Sequence, residues 1–274
     1  MVTRLSARAL LVLIVLFMGV VPAERAVWWL LDAGPLASEP ELVLNGVSAH
    51  GAVRVFGDHP GLEPAAAARL TVDQLTRDGG FDRSVLVVTV PTGSGWVDPD
   101  QVEALERWAG GDIATVALRY SSAPSAAVYL LRPDSATRAA RALLAEVAGR
   151  LRTMHHDDRP RLVVHGLSLG ALAGITALTD SDVEGIVDSS LWQGLPGTRA
   201  TPGGSDLAGA PGRADRCTVW SVNADDPVAE LSWGLLREPA RAVRVLAALP
   251  GSDSSAPGTG HRYRPLVPPA GCVT

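Results

Sequence analysis

Hydrophobic and polar positions along the chain predict strands and helices in turn. Val53-Arg54-Val55-Phe56 alternates as an edge strand does. Residues 64–77 place Ala67, Leu70, Val72 and Leu75 near the helical period, and Gly79-Gly80 stops the run. Residues 84–90 (SVLVVTV) form a short β-branched run, the mark of a strand buried on both faces. Residues 98–109 predict a helix with Asp98 as cap and Pro99 at its first position. Further strands are expected at 113–118, 161–164, 183–187 and 217–222, and further helices at 135–151, 171–178 and 235–249. Alternating strands and helices imply an α/β fold, a mostly parallel sheet covered by helices on both faces. Residues 195–215, rich in Gly, Pro and Ala, are expected to form a loop or a reduced cap.

The N-terminus breaks this pattern. Arg4 and Arg8 precede an uninterrupted apolar run from Ala9 to Val21, followed by Pro22, Ala23 and Glu24. A basic head, a short apolar stretch and small residues at Val21 and Ala23 read as a signal peptide cleaved after Ala23. Apolar character resumes from Ala26 to Leu31, so an uncleaved membrane anchor is the alternative. Either way the positive charges precede the run, which sends the remainder out of the cytoplasm. The expected organisation is a signal peptide or anchor at 1–23, an irregular linker at 24–51 and one catalytic-sized domain at 52–274. Cys217 and Cys272 are the only cysteines, and an even pair in an exported chain suggests a disulfide.

Composition narrows the chemistry. A length of 274 residues with 47% hydrophobic positions suits one folded α/β domain. The net charge of −5 gives no electrostatic reason to expect nucleic acid. No Cys/His cluster has zinc-ligand spacing, no acidic loop suits calcium, and no cofactor is implied. All 24 basic residues are Arg. Without lysine there is no Schiff-base amine, no P-loop lysine and no Ser-Lys dyad.

The stretch Gly166-Leu167-Ser168-Leu169-Gly170 follows the apolar run Leu162-Val163-Val164 and precedes an apolar helical segment. That is the strand–turn–helix setting of a nucleophile elbow, with Ser168 as nucleophile. The serine occupies a strained turn, and a side chain at 166 or 170 would collide with a neighbouring element. At the helix start, the Leu169 amide can point at a developing oxyanion. Sites of this kind place serine, acid and histidine in that chain order. His261 is the one histidine beyond Ser168, so it is the expected base. Asp226, in Asn223-Ala224-Asp225-Asp226-Pro227-Val228, is the preferred acid, since Pro227 stiffens the turn presenting it. Asp188, expected at the end of the preceding strand, is the alternative, and Asp225 is a neighbour that solvent alone could satisfy. The second oxyanion donor is expected from Pro91-Thr92-Gly93-Ser94-Gly95-Trp96, as a backbone amide near Thr92 with the Thr92 hydroxyl as a further donor. Trp96, Trp192, Tyr120 and Leu167 are candidates for an acyl pocket or for ordinary core packing.

Several longer stretches carry a resemblance. Residues 80–88, the following Pro-Thr-Gly-Ser-Gly-Trp-Val-Asp-Pro, Gly-Leu-Ser-Leu-Gly, Ala117 to Ser121, Val187 to Trp192, Asp226-Pro227-Val228 and Gly260-His261-Arg262-Tyr263 together resemble one family. It is the α/β-hydrolase catalytic domain found at the C-terminal end of bacterial, largely actinobacterial, membrane proteins. The resemblance covers roughly 52–268 and implies an α/β-hydrolase fold with Ser168 as nucleophile, Asp226 as acid and His261 as base. The chain departs from that family in three ways. It has one short apolar segment in place of several membrane spans. Leu167 stands where Glu usually precedes the nucleophile, and the region between Trp192 and Cys217 is abbreviated. The implied activity is that of an exported or membrane-anchored serine esterase, acting on a small acyl ester or lipid through an acyl-enzyme. Membrane contact would run through the N-terminal segment. The rival reading is a catalytically silent module that binds an envelope lipid or a protein partner.

Overall fold

The computed structural model describes residues 26–32, 48–179, 183–197, 217–231, 233–249 and 251–273. Six strands form one sheet: β1 (Val53–Gly57), β2 (Val85–Val90), β3 (Ile113–Leu118), β4 (Arg161–Leu167), β5 (Ser189–Gln193) and β6 (Thr218–Ser221). Their order is β1-β3-β2-β4-β5-β6, and every neighbouring pair is parallel. Among the described residues from 48 onward, the α-helices are α1 (Pro64–Arg77), α2 (Pro99–Trp108), α3 (Ser125–Leu131), α4 (Pro133–Thr153), α5 (Leu169–Thr179) and α6 (Pro239–Ala248).

Strand periodicity explains the two-sided core. Leu86, Val88 and Val90 of β2 join Ala114, Val116, Leu162 and Val164 in the cluster beneath α1, α4 and α5. The intervening Val85, Val87, Ile113, Val163 and Leu191 face the other way, onto Leu105 of α2. Both side-chain rows of each central strand are buried because parallel strands send their crossovers over both faces. The α2 helix starts as expected, with the Asp98 carboxylate accepting from Asp100 N at 3.0 Å and Pro99 first in the helix.

Sheet order also fixes where a site can form. From β2 the chain crosses toward β1, and from β4 it crosses toward β6, so the loops leaving these adjacent strands diverge. Such a switch point opens a crevice at the carboxyl ends of the strands. The loop after β2 contains Thr92, and the turn after β4 contains Ser168.

Two expectations need correction. No strand forms at 183–187; Glu184–Ile186 is a short 3₁₀ turn, and the strand is Ser189–Gln193. The linker at 24–51 is not irregular throughout, because residues 26–32 are helical. Trp28 and Leu31, three apart and so on one face, pack on the core, and the Arg132 guanidinium lies 4.1 Å over the Trp28 ring. Asp32 Oδ1 accepts from Ser121 Oγ at 2.6 Å, Ser122 N at 2.6 Å and Ala123 N at 3.1 Å. The apolar run at 9–21, the proposed cleavage point and most of the 195–215 segment lie outside the described residues. Among the described residues, no helix is long and apolar enough to cross a membrane.

Cys217 and Cys272 form a disulfide, with Cα atoms 5.5 Å apart and a sequence separation of 55. It ties the start of β6 to the C-terminal tail, whose Leu266 and Val273 pack on the α2-side core. A loop of this length should contribute roughly 4 kcal/mol by restricting the unfolded chain. Denaturant unfolding of Cys217→Ser/Cys272→Ser should therefore show a loss of that order against the oxidised protein. A loss under about 1 kcal/mol would contradict the entropic account.

Candidate active site

Ser168 follows the last residue of β4 and directly precedes α5. Its φ of 58° makes it the one described non-glycine residue with positive φ. That conformation costs an L-residue roughly 1–2 kcal/mol, and strain of this kind clusters at functional turns. Backbone contacts hold it in place. Ser168 N donates to Gln193 O at 2.8 Å, extending the β4–β5 pairing by one residue. The elbow glycines are there for space. A Cβ on Gly166 would lie 2.6 Å from Gly170 O, and one on Gly170 would lie 2.1 Å from Val90 O. The helix is thereby pressed against both its own strand and β2. Leu169 opens α5, so its amide has no intrahelical acceptor and stands at the positive end of the helix dipole.

His261 and Asp226 come together from separate loops. His261 Nδ1 lies 2.9 Å from Asp226 Oδ2, and both side chains are almost wholly enclosed. The carboxylate is held at both oxygens: Val228 N donates to Oδ1 at 2.8 Å, and the Tyr263 hydroxyl donates to Oδ2 at 2.5 Å. The loops are joined by Asn223, whose side-chain amide donates to Gly260 O at 3.0 Å and Arg262 O at 3.1 Å. Gly194, just past β5, leaves room for both rings. A Cβ there would meet Tyr263 Cε2 at 2.8 Å and His261 Cε1 at 2.9 Å. Asn223 and Tyr263 stand in the stretches that carry Asp226 and His261, yet the sequence assigns neither them nor Gly194 a role of its own, since each acts through contacts made across the fold.

Ser168, Leu169, Thr92 and His261 line one open cleft of about 1010 Å³. Ser168 and His261 face the same cleft without a direct hydrogen bond between them, and a contact between nucleophile and base of this kind tightens when substrate is held there. Trp96, Leu167, Tyr129, Val228, Leu231 and Leu249 supply apolar wall. The Thr92 amide is already engaged, donating to Trp96 O at 3.0 Å, which leaves the hydroxyl as the group Thr92 can offer; it lies 3.3 Å from Ser94 Oγ. The loop is buttressed by α3: Ser94 N donates to Ser125 Oγ at 3.2 Å, and a Cβ on Gly93 would lie 2.5 Å from Ser125 Cα.

Other candidates fall elsewhere. Asp188 precedes β5 instead of ending a strand, so it sits at the opposite edge of the sheet from Ser168. Its carboxylate accepts from Leu162 N at 2.8 Å and pairs with Arg161 at 3.2 Å. The seven residues of β4 put roughly 20 Å between that edge and the elbow, which removes Asp188 as a partner for His261. Asp225 is exposed. Trp192 is core, with its ring centroid 6.4 Å from that of Trp220, and Tyr120 donates to Pro91 O at 3.0 Å beneath the Thr92 loop. Among the described residues no group of three His, Cys, Asp or Glu side chains could hold a metal.

His165 lies inside the sheet under the site. Its Nδ1 is 2.7 Å from Thr89 Oγ1 and its Nε2 2.9 Å from Gln193 Oε1, while Gln193 Nε2 donates to Arg264 O at 2.9 Å. With the Gln193 amide nitrogen donating, its oxygen accepts from His165 Nε2–H, and Nδ1 accepts from Thr89. The neutral ring satisfies every group. Burial lowers the imidazole from its ordinary 6.5 to about 4. Between these values the unfolded chain holds a proton that the folded chain does not. Stability is therefore complete above pH 6.5 and declines as pH falls toward 4, by about 3 kcal/mol at most. Denaturant midpoints measured from pH 8 to 4 should follow this decline, and His165→Gln should flatten that part of the profile. An equally steep decline in the variant would assign it to other groups.

The family described as "Alpha/beta-hydrolase family" matches residues 53–203. Among solved structures, Trichoderma reesei cutinase in complex with a phosphonate inhibitor is 14% identical, covering 66% of this chain and 83% of its own, with a TM-score of 0.41. An acetylxylan esterase is 15% identical over 63% of this chain and 98% of its own, with a TM-score of 0.39. A cutinase-like protein from Cryptococcus sp. is 14% identical over 61% and 92%, also with a TM-score of 0.39. No curated protein sequence matches the chain. With the family match spanning more than half of its length, the chain belongs to the α/β-hydrolase family.

Proposed function

We propose that the protein is an extracytoplasmic serine esterase that cleaves an acyl ester through an acyl-enzyme. The observation carrying this reading is Ser168, strained at φ 58° on the elbow, sharing a cleft with the His261–Asp226 pair. His261 Nε2 takes the hydroxyl proton as Ser168 Oγ bonds to the acyl carbon, and Asp226 pairs with the imidazolium that results. The Leu169 amide and the Thr92 hydroxyl stabilise the oxyanion. The proton then passes to the departing alkoxide as the C–O bond breaks. Water, deprotonated by His261, attacks the acyl-enzyme, and Ser168 recovers its proton as the acid leaves. The apolar wall of Trp96, Leu167, Tyr129 and Val228 supports an apolar acyl group as the part bound there.

Export is part of the proposal. The apolar run at 9–21 reads as a signal or anchor, and the Cys217–Cys272 bond suits an oxidising compartment. The test is stoichiometric labelling of the full chain by a fluorophosphonate, followed by turnover of p-nitrophenyl esters of graded chain length. Folded protein that neither labels nor turns over any ester of the series would be the lipid- or protein-binding module instead.

A further inference from the structure

The triad acid has a second partner that the esterase mechanism leaves without a role. Tyr263 is 3% exposed, and its hydroxyl donates to the same Asp226 oxygen that meets His261. The direction of that proton is fixed. Asn223 N donates to Tyr263 Oη at 3.3 Å, so the hydroxyl accepts there and can send its own proton only toward Asp226. The ring is fixed as well, standing edge-on to His261 at 5.8 Å between centroids and packed against Gly194. Burial and the neighbouring carboxylate push the phenol well above its ordinary range, so it stays a donor at every working pH.

We propose that Tyr263 is a positioning residue of the active site, whose hydroxyl clamps Asp226 Oδ2 in the orientation that receives His261 and limits the charge Asp226 presents to the imidazole. Val228 N holds Oδ1 and Tyr263 holds Oδ2, so the carboxylate cannot rotate away from the ring. The phenolic proton also sets a positive dipole end beside the imidazole. Its removal leaves Asp226 more fully charged toward His261, which favours the imidazolium.

The sign of this effect gives the test. Tyr263→Phe keeps the ring and deletes the hydroxyl. The kinetic part rests on the esterase reading, whereas NMR titration of His261 in the full chain needs no substrate. The His261 signal can be assigned by its loss in His261→Gln. In Tyr263→Phe the His261 pKa should rise by at least about half a unit, on the scale of one hydrogen bond to a charged group. The acid limb of the kcat/KM profile should move up with it, and kcat/KM at its optimum should fall about ten- to hundredfold, by analogy with losing the partners that orient metal-ligating side chains. A His261 pKa that stays put or falls overturns the proposal. A kinetic loss without that shift would assign Tyr263 to packing alone. If Ser168→Ala keeps its activity, the esterase reading fails, and the titration still decides the role of Tyr263.

Discussion

Replacing Ser168 with alanine is expected to end fluorophosphonate labelling and lower ester turnover by about 10⁵–10⁶-fold, the scale on which loss of a nucleophile acts. Nothing else about the site should change, because Ser168 is held by its backbone, through the amide bond to Gln193 O, and alanine preserves that bond. Alanine also inherits the φ of 58°, so the strain persists and the melting temperature should stay close to that of the parent. Glycine relieves it. Ser168→Gly should be equally inactive yet about 0.5–1 kcal/mol more stable than Ser168→Ala, since glycine adopts positive φ freely but loses more chain entropy on folding. Inactivity with retained or increased stability separates a chemical role from a structural one. An alanine variant with full turnover would remove Ser168 from the mechanism.

Asp226→Asn should lower the turnover of an activated ester by about 10³–10⁴-fold, and the reason lies in the hydrogen-bond directions. Both carboxylate oxygens accept: Oδ1 from Val228 N, Oδ2 from Tyr263 and His261. An amide can keep only one acceptor. If its oxygen serves Val228, its NH₂ faces His261 Nδ1 and selects the tautomer whose Nε2 already carries a proton. If its oxygen serves His261, two donors confront each other at Val228. Either outcome impairs the base. Asp188→Asn should cost under about tenfold in turnover, because its effect is confined to a surface pair and one backbone bond at the far sheet edge. Kinetics and thermal melting of both variants decide the ranking. A dead Asp188→Asn beside an active Asp226→Asn, both folded, would contradict the proposed triad.

The two variants also mark where the sequence stops being legible. Hydrophobic patterning located β1 to β4 and most helices within a few residues, because apolar runs and glycine stops report burial directly. It missed β5. That strand reads Ser-Ser-Leu-Trp-Gln, and its two buried polar side chains, Ser189 and Gln193, each meet a partner from another element. Ser189 Oγ donates to Cys217 O at 2.7 Å, and Gln193 links His165 to Arg264. The apolar Val183 to Val187 stretch drew the expected strand a few residues upstream, which made Asp188 look like a residue at the sheet's carboxyl edge. The short α3 helix and the docking of residues 26–32 went unseen for a similar reason, since both are stabilised by tertiary contacts more than by their own pattern.

By itself the sequence determined the α/β class and set Ser168 at a strand–turn–helix junction, and it named the serine, acid and histidine that the proposal rests on. Periodicity and glycine spacing are local consequences of backbone sterics, and they survive without knowledge of neighbours. Only the tertiary structure decided which carboxylate meets His261, that the Thr92 amide is already spent in its own turn, and that Trp192 and Tyr120 are packing residues. Those outcomes depend on strand register and on loops meeting from positions more than thirty residues apart: one oxygen of Asp226 meets His261 and Tyr263, 35 and 37 residues further along the chain. A hydrogen bond is decided over a few tenths of an ångström, and that distance is set by how the whole sheet packs, which no local pattern encodes.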